Sequence, residues 1–229
     1  MVQVNPTKLF LRFKFRKGGS LQYVSHLDLV RTMHKVIVRA KLPLWYTEGF
    51  NPKPKMIFAA PLSIGTESVC EFMDLRMNEY IDPKEAMDRI NANMTDEMQI
   101  TEAYYPESKF TDLKWMSYKI TISPENFSTD MVERVNSVLS SDIIEVQKKN
   151  FEDMMNIRPL IKSAVATQEG ESIVISAVLS ADPSAFLNPE YLIKALRRSC
   201  GILTGENLMA ESYEIMRLCA YFDDMTDFR

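Results

Sequence analysis

The stretch Leu9-Phe10-Leu11-Arg12-Phe13-Lys14-Phe15-Arg16-Lys17 alternates without a break. Leu9, Leu11, Phe13 and Phe15 fall on one side, and Phe10, Arg12, Lys14 and Arg16 on the other. A repeat of two is the side-chain period of a β-strand, so these residues predict a strand with one apolar and one cationic face. Gly18-Gly19 ends it. Three residues after Ser25 comes Asp28, a spacing that resembles a capping box with Asp in place of Glu. A helix over His26 to Lys41 is predicted to follow, with Leu29, Met33, Val36, Ile37 and Ala40 as its inner stripe and Pro43 as its stop.

The same reading continues down the chain. Trp45-Tyr46 opens an extended piece that runs into Gly49-Phe50-Asn51-Pro52-Lys53-Pro54-Lys55, a turn with two prolines and two lysines. Met56 to Ile64 reads as extended, Ser68 to Met77 as a strand, Pro83 as a helix start and Gln99 to Tyr105 as a strand. After a linker at 110–113 the order returns. Trp115 to Ile122 alternates, and a helix ends at Leu139. Ile143 to Lys149 and Asn156 to Ala166 read as extended, and Ser172 to Leu179 is rich in β-branched residues. Asn188-Pro189-Glu190 begins a helix that Gly201 ends, and Glu211 to Tyr221 is the last strand. Strand, helix, strand, strand, helix, strand, twice over, predicts an α+β protein of two ferredoxin-like (βαββαβ) halves in tandem. The halves are expected at 1–109 and 114–222, with 223–229 as a frayed polar tail.

Composition narrows the class. The 229 residues are 46% hydrophobic and 25% charged, which suits a globular chain with a core. No run approaches the ~18 apolar residues of a membrane span, and Met1 to Lys17 lacks the basic-then-apolar order of a signal peptide. A cytoplasmic protein is expected. Cys70, Cys200 and Cys219 form no CxxC pair, and with two histidines they give no metal-ligand spacing. Reduced, buried thiols are expected, with no metal site and no intrinsic cofactor. The net charge of −4 hides an asymmetry: residues 1–60 hold eleven Lys and Arg against Asp28 and Glu48, a net +9, while residues 61–229 hold sixteen against 29 acids, a net −13. So basic a block in an acidic protein points to a polyanion-binding face, or else to a segment that neutralises the acidic remainder.

Candidate site residues follow from that block. Arg12, Lys14 and Arg16 share the cationic face of the first strand. Ser25 and His26 open the first helix, where free N–H groups favour anions, and Arg31 lies in its next turn. Ser25, His26 and Asp28 make poor geometry for a triad, because adjacent helical positions do not face each other, and Ser25 as helix cap with Asp28 as its partner is the better account. His26 is the candidate acid or base if there is catalysis, whereas His34, mid-helix, reads as a partly exposed residue without a role. In the turn, Gly49 supplies backbone freedom, Phe50 a ring to stack or bury, Asn51 an amide to read an edge, and Lys53 and Lys55 cations for phosphates.

The stretches Tyr23-Val24-Ser25-His26-Leu27-Asp28-Leu29-Val30-Arg31, Leu42-Pro43, Glu48-Gly49-Phe50-Asn51-Pro52-Lys53-Pro54-Lys55, Ala60-Pro61-Leu62 with Gly65 and Glu67, and Asn156-Ile157-Arg158-Pro159-Leu160-Ile161 resemble the radical-SAM-associated (radical SAM-linked) family, in its stand-alone form. Lys53 departs from many relatives, which carry histidine there. The resemblance implies association with a radical SAM enzyme, and with RNA modification or the translation apparatus. The iron–sulfur cluster and S-adenosylmethionine would then belong to the partner, since this chain has no three-cysteine cluster motif. The function expected is a non-catalytic accessory module that binds tRNA or rRNA through its basic N-terminal part. The alternatives are an RNA-processing or RNA-modifying enzyme using His26 and the loop lysines, and a protein–protein adaptor for the radical SAM partner.

Overall fold

The structure is a computed structural model and describes residues 9–147, 154–203 and 211–229. It is an α+β protein, with four α-helices among the described residues. The chain divides into two compact units, one reaching to Phe110 and including Arg229, the other Thr111–Phe228.

In the first unit the elements are β1 (Phe10–Lys17), α1 (His26–Arg39), β2 (Met56–Phe58), β3 (Thr66–Arg76), α2 (Pro83–Asn91) and β4 (Met98–Tyr104). The strands are ordered β4-β1-β3-β2, with every neighbouring pair antiparallel. The alternation of β1 has its expected physical basis: Leu11, Phe13 and Phe15 are wholly buried. Against them packs the α1 stripe Leu29, Met33, Val36 and Ile37, whose spacing covers one side of a 3.6-residue helix. The helix ends two residues earlier than predicted, with Ala40 as its cap and Lys41 at φ +52°. Asp82 caps α2 by accepting the Glu85 N–H at 3.0 Å, Pro83 opens it, and Ala86 and Ile90 reach the same core. The extended piece predicted over Met56 to Ile64 forms strand only at Met56–Phe58.

The second unit carries β5 (Trp115–Ser123), α3 (Asp130–Leu139), β6 (Glu145–Gln147), β7 (Met154–Asn156), β8 (Ile161–Glu169), β9 (Ser172–Ser180), α4 (Glu190–Cys200) and β10 (Ser212–Tyr221). Its main sheet runs β10-β5-β9-β8, again antiparallel throughout, and β6 pairs with β7 apart from it. The predicted strand from Asn156 to Ala166 is two elements. Pro159 sits at the start of a 3-10 turn, Arg158–Leu160, and the Asn156 side chain accepts the N–H groups of Ile144 and Arg158, each at 3.0 Å. The predicted strand to Lys149 ends, among the described residues, at Gln147; Lys148 and Lys149 lie outside them.

Two further expectations differ from the structure. Cys219 is exposed, unlike Cys70 and Cys200. A register shift in β10 between Arg217 and Cys219 exchanges the two faces, so Ile215 and Arg217 point inward before it and Ala220 after it. The residues after Tyr221 do not fray: the Phe228 N–H donates to the Ala220 carbonyl at 2.9 Å, its ring meets Phe222 at 5.1 Å, and it is only 3% exposed. One apolar residue near the end holds a segment whose other side chains are mostly polar. No helix among the described residues is long and apolar enough to cross a membrane.

Candidate nucleic-acid interface

The cations of β1 do not form one open surface. Arg12 is fully buried. Its Nε and Nη2 donate to the two carboxylate oxygens of Asp74 at 2.8 and 2.9 Å, and Nη1 and Nη2 donate to the Ser108 hydroxyl and carbonyl at 2.8 and 3.1 Å. Its guanidinium lies 4.3 Å from the centre of the Phe110 ring. Burial pushes the Asp74 carboxyl above its ordinary value, and Arg12 pulls it only part of the way back. Arg12 is therefore withdrawn from any phosphate, which corrects its place among the candidates. Lys14, half-exposed, pairs with Glu102 at 2.9 Å. Arg16 is exposed and donates to the Asp96 carbonyl at 2.7 Å. The alternation of β1 places these three on one face, but the segment after β4 covers that face at Arg12.

Ser25 is the cap of α1, as its position suggests: its hydroxyl accepts the Asp28 N–H at 3.2 Å and donates to the Asp28 carboxylate at 2.8 Å. That bond, with Arg31 at 3.1 Å, holds the Asp28 carboxyl below the usual carboxylate range. Ser25 and Arg31 thus serve the helix first. Replacing Ser25 by Ala is expected to cost about 1 kcal/mol of stability. Urea unfolding measures this, and an unchanged midpoint would rule out the cap. His26 is exposed, with its ring edge-on to Phe58 of β2 at 5.5 Å, and Phe58 in turn meets buried Phe15 at 6.2 Å.

The turn over 49–55 is a pinned projection. Tyr46 and Pro54 form a β-bridge, the Thr47 N–H donates to the Lys53 carbonyl at 2.9 Å, and the Lys53 N–H returns to the Thr47 hydroxyl at 3.1 Å. Pro54 is buried, and the Lys55 N–H reaches the Trp45 carbonyl at 3.2 Å. Gly49 stands at φ +122° with nothing within 4 Å of an added Cβ, so its need for glycine is conformational rather than steric. From this base Phe50, Asn51, Lys53 and Lys55 stand exposed, and Phe50 is 112% exposed, a ring wholly in solvent.

Lys53 brings the loop within electrostatic reach of α1. His34 is pushed below its ordinary value first by burial and then by the positive charge of Lys53. His26 and His34 are eight residues apart, about 12 Å along the helix. Phe58 touches the first, and the charge of Lys53 acts on the second. α1 also exposes Arg31, Lys35 and Arg39. His34 belongs to this surface, although the sequence offers no sign of it: its neighbour comes from a loop, and helical spacing says nothing about loops. Among the described residues no three His, Cys, Asp or Glu come together in a way that would hold a metal ion.

Residues 11–189 match the family described as uncharacterized protein conserved in bacteria (DUF2344), and the chain belongs to that family. No curated protein matches it. Among solved structures it is similar to a chain of the crystal structure of a Cbf5-Nop10-Gar1 complex, with 9% identity and a TM-score of 0.49, over 93% of this chain and 49% of that one. The chain thus spans about half the length of that relative. It is also similar to an unknown protein from Galdieria sulphuraria, with 12% identity and a TM-score of 0.26, over 91% of this chain and 98% of that one.

Proposed function

We propose that the chain is a non-catalytic, cytoplasmic accessory module that holds RNA, a tRNA or an rRNA, on the surface formed by loop 49–55 and the outer face of α1. The observation that carries this reading is the pinned loop itself, which holds Phe50, Lys53 and Lys55 in solvent with the charge of Lys53 acting on His34 of α1, a helix that also exposes Arg31, Lys35 and Arg39. Cations on a firm base position a phosphate backbone, and a ring beside them can meet a base. Binding is favoured over catalysis because the His26 ring packs its edge on Phe58, while the charge of Lys53 is felt at His34. In each unit we read the strand order as ferredoxin-like. The first strand lies between the fourth and the third, with the second outside, and in the second unit the β6-β7 hairpin is an insertion. The radical SAM enzyme as partner rests on the motif resemblance. In that arrangement the iron–sulfur cluster and S-adenosylmethionine are the partner's.

Binding of a fluorescent tRNA at two salt concentrations tests the reading. Phosphate contacts by these five cations, at a slope of about −0.7 each for a single strand, predict an affinity loss of about a hundredfold between about 50 and 200 mM salt. Absent or salt-independent binding would sink it. A native pull-down shows whether a radical SAM protein accompanies the RNA.

A further inference from the structure

Resting on that RNA-binding reading, we infer that loop 49–55 recognises an unpaired nucleobase, by stacking the Phe50 ring on its face, so that the protein selects single-stranded or looped RNA over duplex. Single exposed apolar residues are common on protein surfaces. Phe50 differs in two respects. Its ring is wholly in solvent, at the tip of a loop whose base is fixed by a β-bridge, two hydrogen bonds between Thr47 and Lys53, and buried Pro54. Little ordering entropy therefore remains to be lost when the ring meets a ligand. Polar groups flank it: Asn51 brings an amide with donors and an acceptor, and the exposed cations Lys53 and Lys55 outnumber the one exposed carboxylate, Glu48. A loop that entered a lipid surface would carry more than one apolar side chain at its tip, and here Phe50 is followed by Asn, Pro and Lys.

The lysines alone cannot discriminate, because phosphates line both single strands and duplexes. The ring can. Every base has a π-face, so stacking tolerates sequence. In a duplex both faces are covered by neighbouring pairs, and exposing one costs a few kcal/mol of unstacking. An unpaired base offers its face without that cost.

The experiment compares a short unstructured RNA with the duplex it forms with its complement, for the wild-type chain and for Phe50→Ala, Phe50→Leu and Phe50→Trp. These changes lie in solvent and leave the fold intact, which circular dichroism verifies. The wild type is expected to prefer the single strand about tenfold. Phe50→Ala and Phe50→Leu should lose that tenfold on the single strand and nothing on the duplex. Phe50→Trp should keep the preference, and its added indole emission should be quenched by the single strand alone. Equal, salt-sensitive binding of both RNAs by the wild type, or full single-strand affinity in Phe50→Ala or Phe50→Leu, overturns the stacking inference and leaves the RNA-binding reading standing. Binding of neither RNA overturns both.

Discussion

Asp74→Ala is expected to destabilise the first unit by about 3–5 kcal/mol, the usual result of removing one partner from a buried ion pair. The geometry puts this site near the upper end. Arg12 is buried completely, grips both Asp74 oxygens at 2.8 and 2.9 Å, and is held on its remaining sides by Ser108 and the Phe110 ring. A guanidinium is not deprotonated in a protein. When Asp74 is removed the charge stays, in a place where water does not reach it. For a unit of this size the loss corresponds to a fall in Tm on the order of 20 °C. Thermal unfolding followed by circular dichroism reads it directly. Arg12→Met combined with Asp74→Leu should recover most of the loss, because a well-packed apolar pair carries no desolvation cost. If Asp74→Ala melts with the wild type, Arg12 is not buried as described, and its exclusion from the RNA surface goes with it.

That pair also marks the limit of what the sequence makes legible. The alternation in Leu9–Lys17 and the stripe of α1 are short-range patterns, and they give β1 and α1 nearly to the residue. Arg12 looks the same as Arg16 in such a pattern. What separates them is contact with Asp74 and Ser108, 62 and 96 residues away. Cys219 is expected inside because free cysteines are usually buried, and one register shift in β10 turns it outward instead. Asn156 to Ala166 reads as one strand because Arg158-Pro159 disrupts pairing locally without disturbing the apolar pattern on either side. The candidate surface divides in the same way. Phe50, Lys53 and Lys55 stand out because Gly and Pro mark their loop. His34 enters only through the fold, by the return of a loop onto a helix.

The remaining large effect is on binding. Reversing Lys53 and Lys55 together to Glu is expected to weaken RNA binding on the order of a hundredfold at about 0.1 M salt, and to flatten the salt dependence by nearly one unit of slope for each phosphate that is no longer neutralised. The same reversal at Lys119 and Lys194 in the other unit changes net charge equally and should do far less. Equal losses in the two pairs would mean that only the overall field matters. His34 provides a second readout that needs no RNA. Burial and Lys53 both hold its pKa below the ordinary 6.5 in the free protein. Lys53→Glu removes the second cause and should raise the His34 pKa, though burial, the larger cause, remains. An NMR titration of the imidazole follows this, and an unmoved pKa would separate the loop from the helix. A phosphate held beside Lys53 acts in the same direction as the glutamate, because it offsets the lysine's charge. The complex then binds protons more tightly at His34 than the free protein does. Affinity must therefore rise as the pH falls through the range below 6.5, where the free imidazole is neutral and the bound one takes up a proton. His34→Gln should abolish that pH dependence while leaving the salt dependence from Lys53 and Lys55 in place.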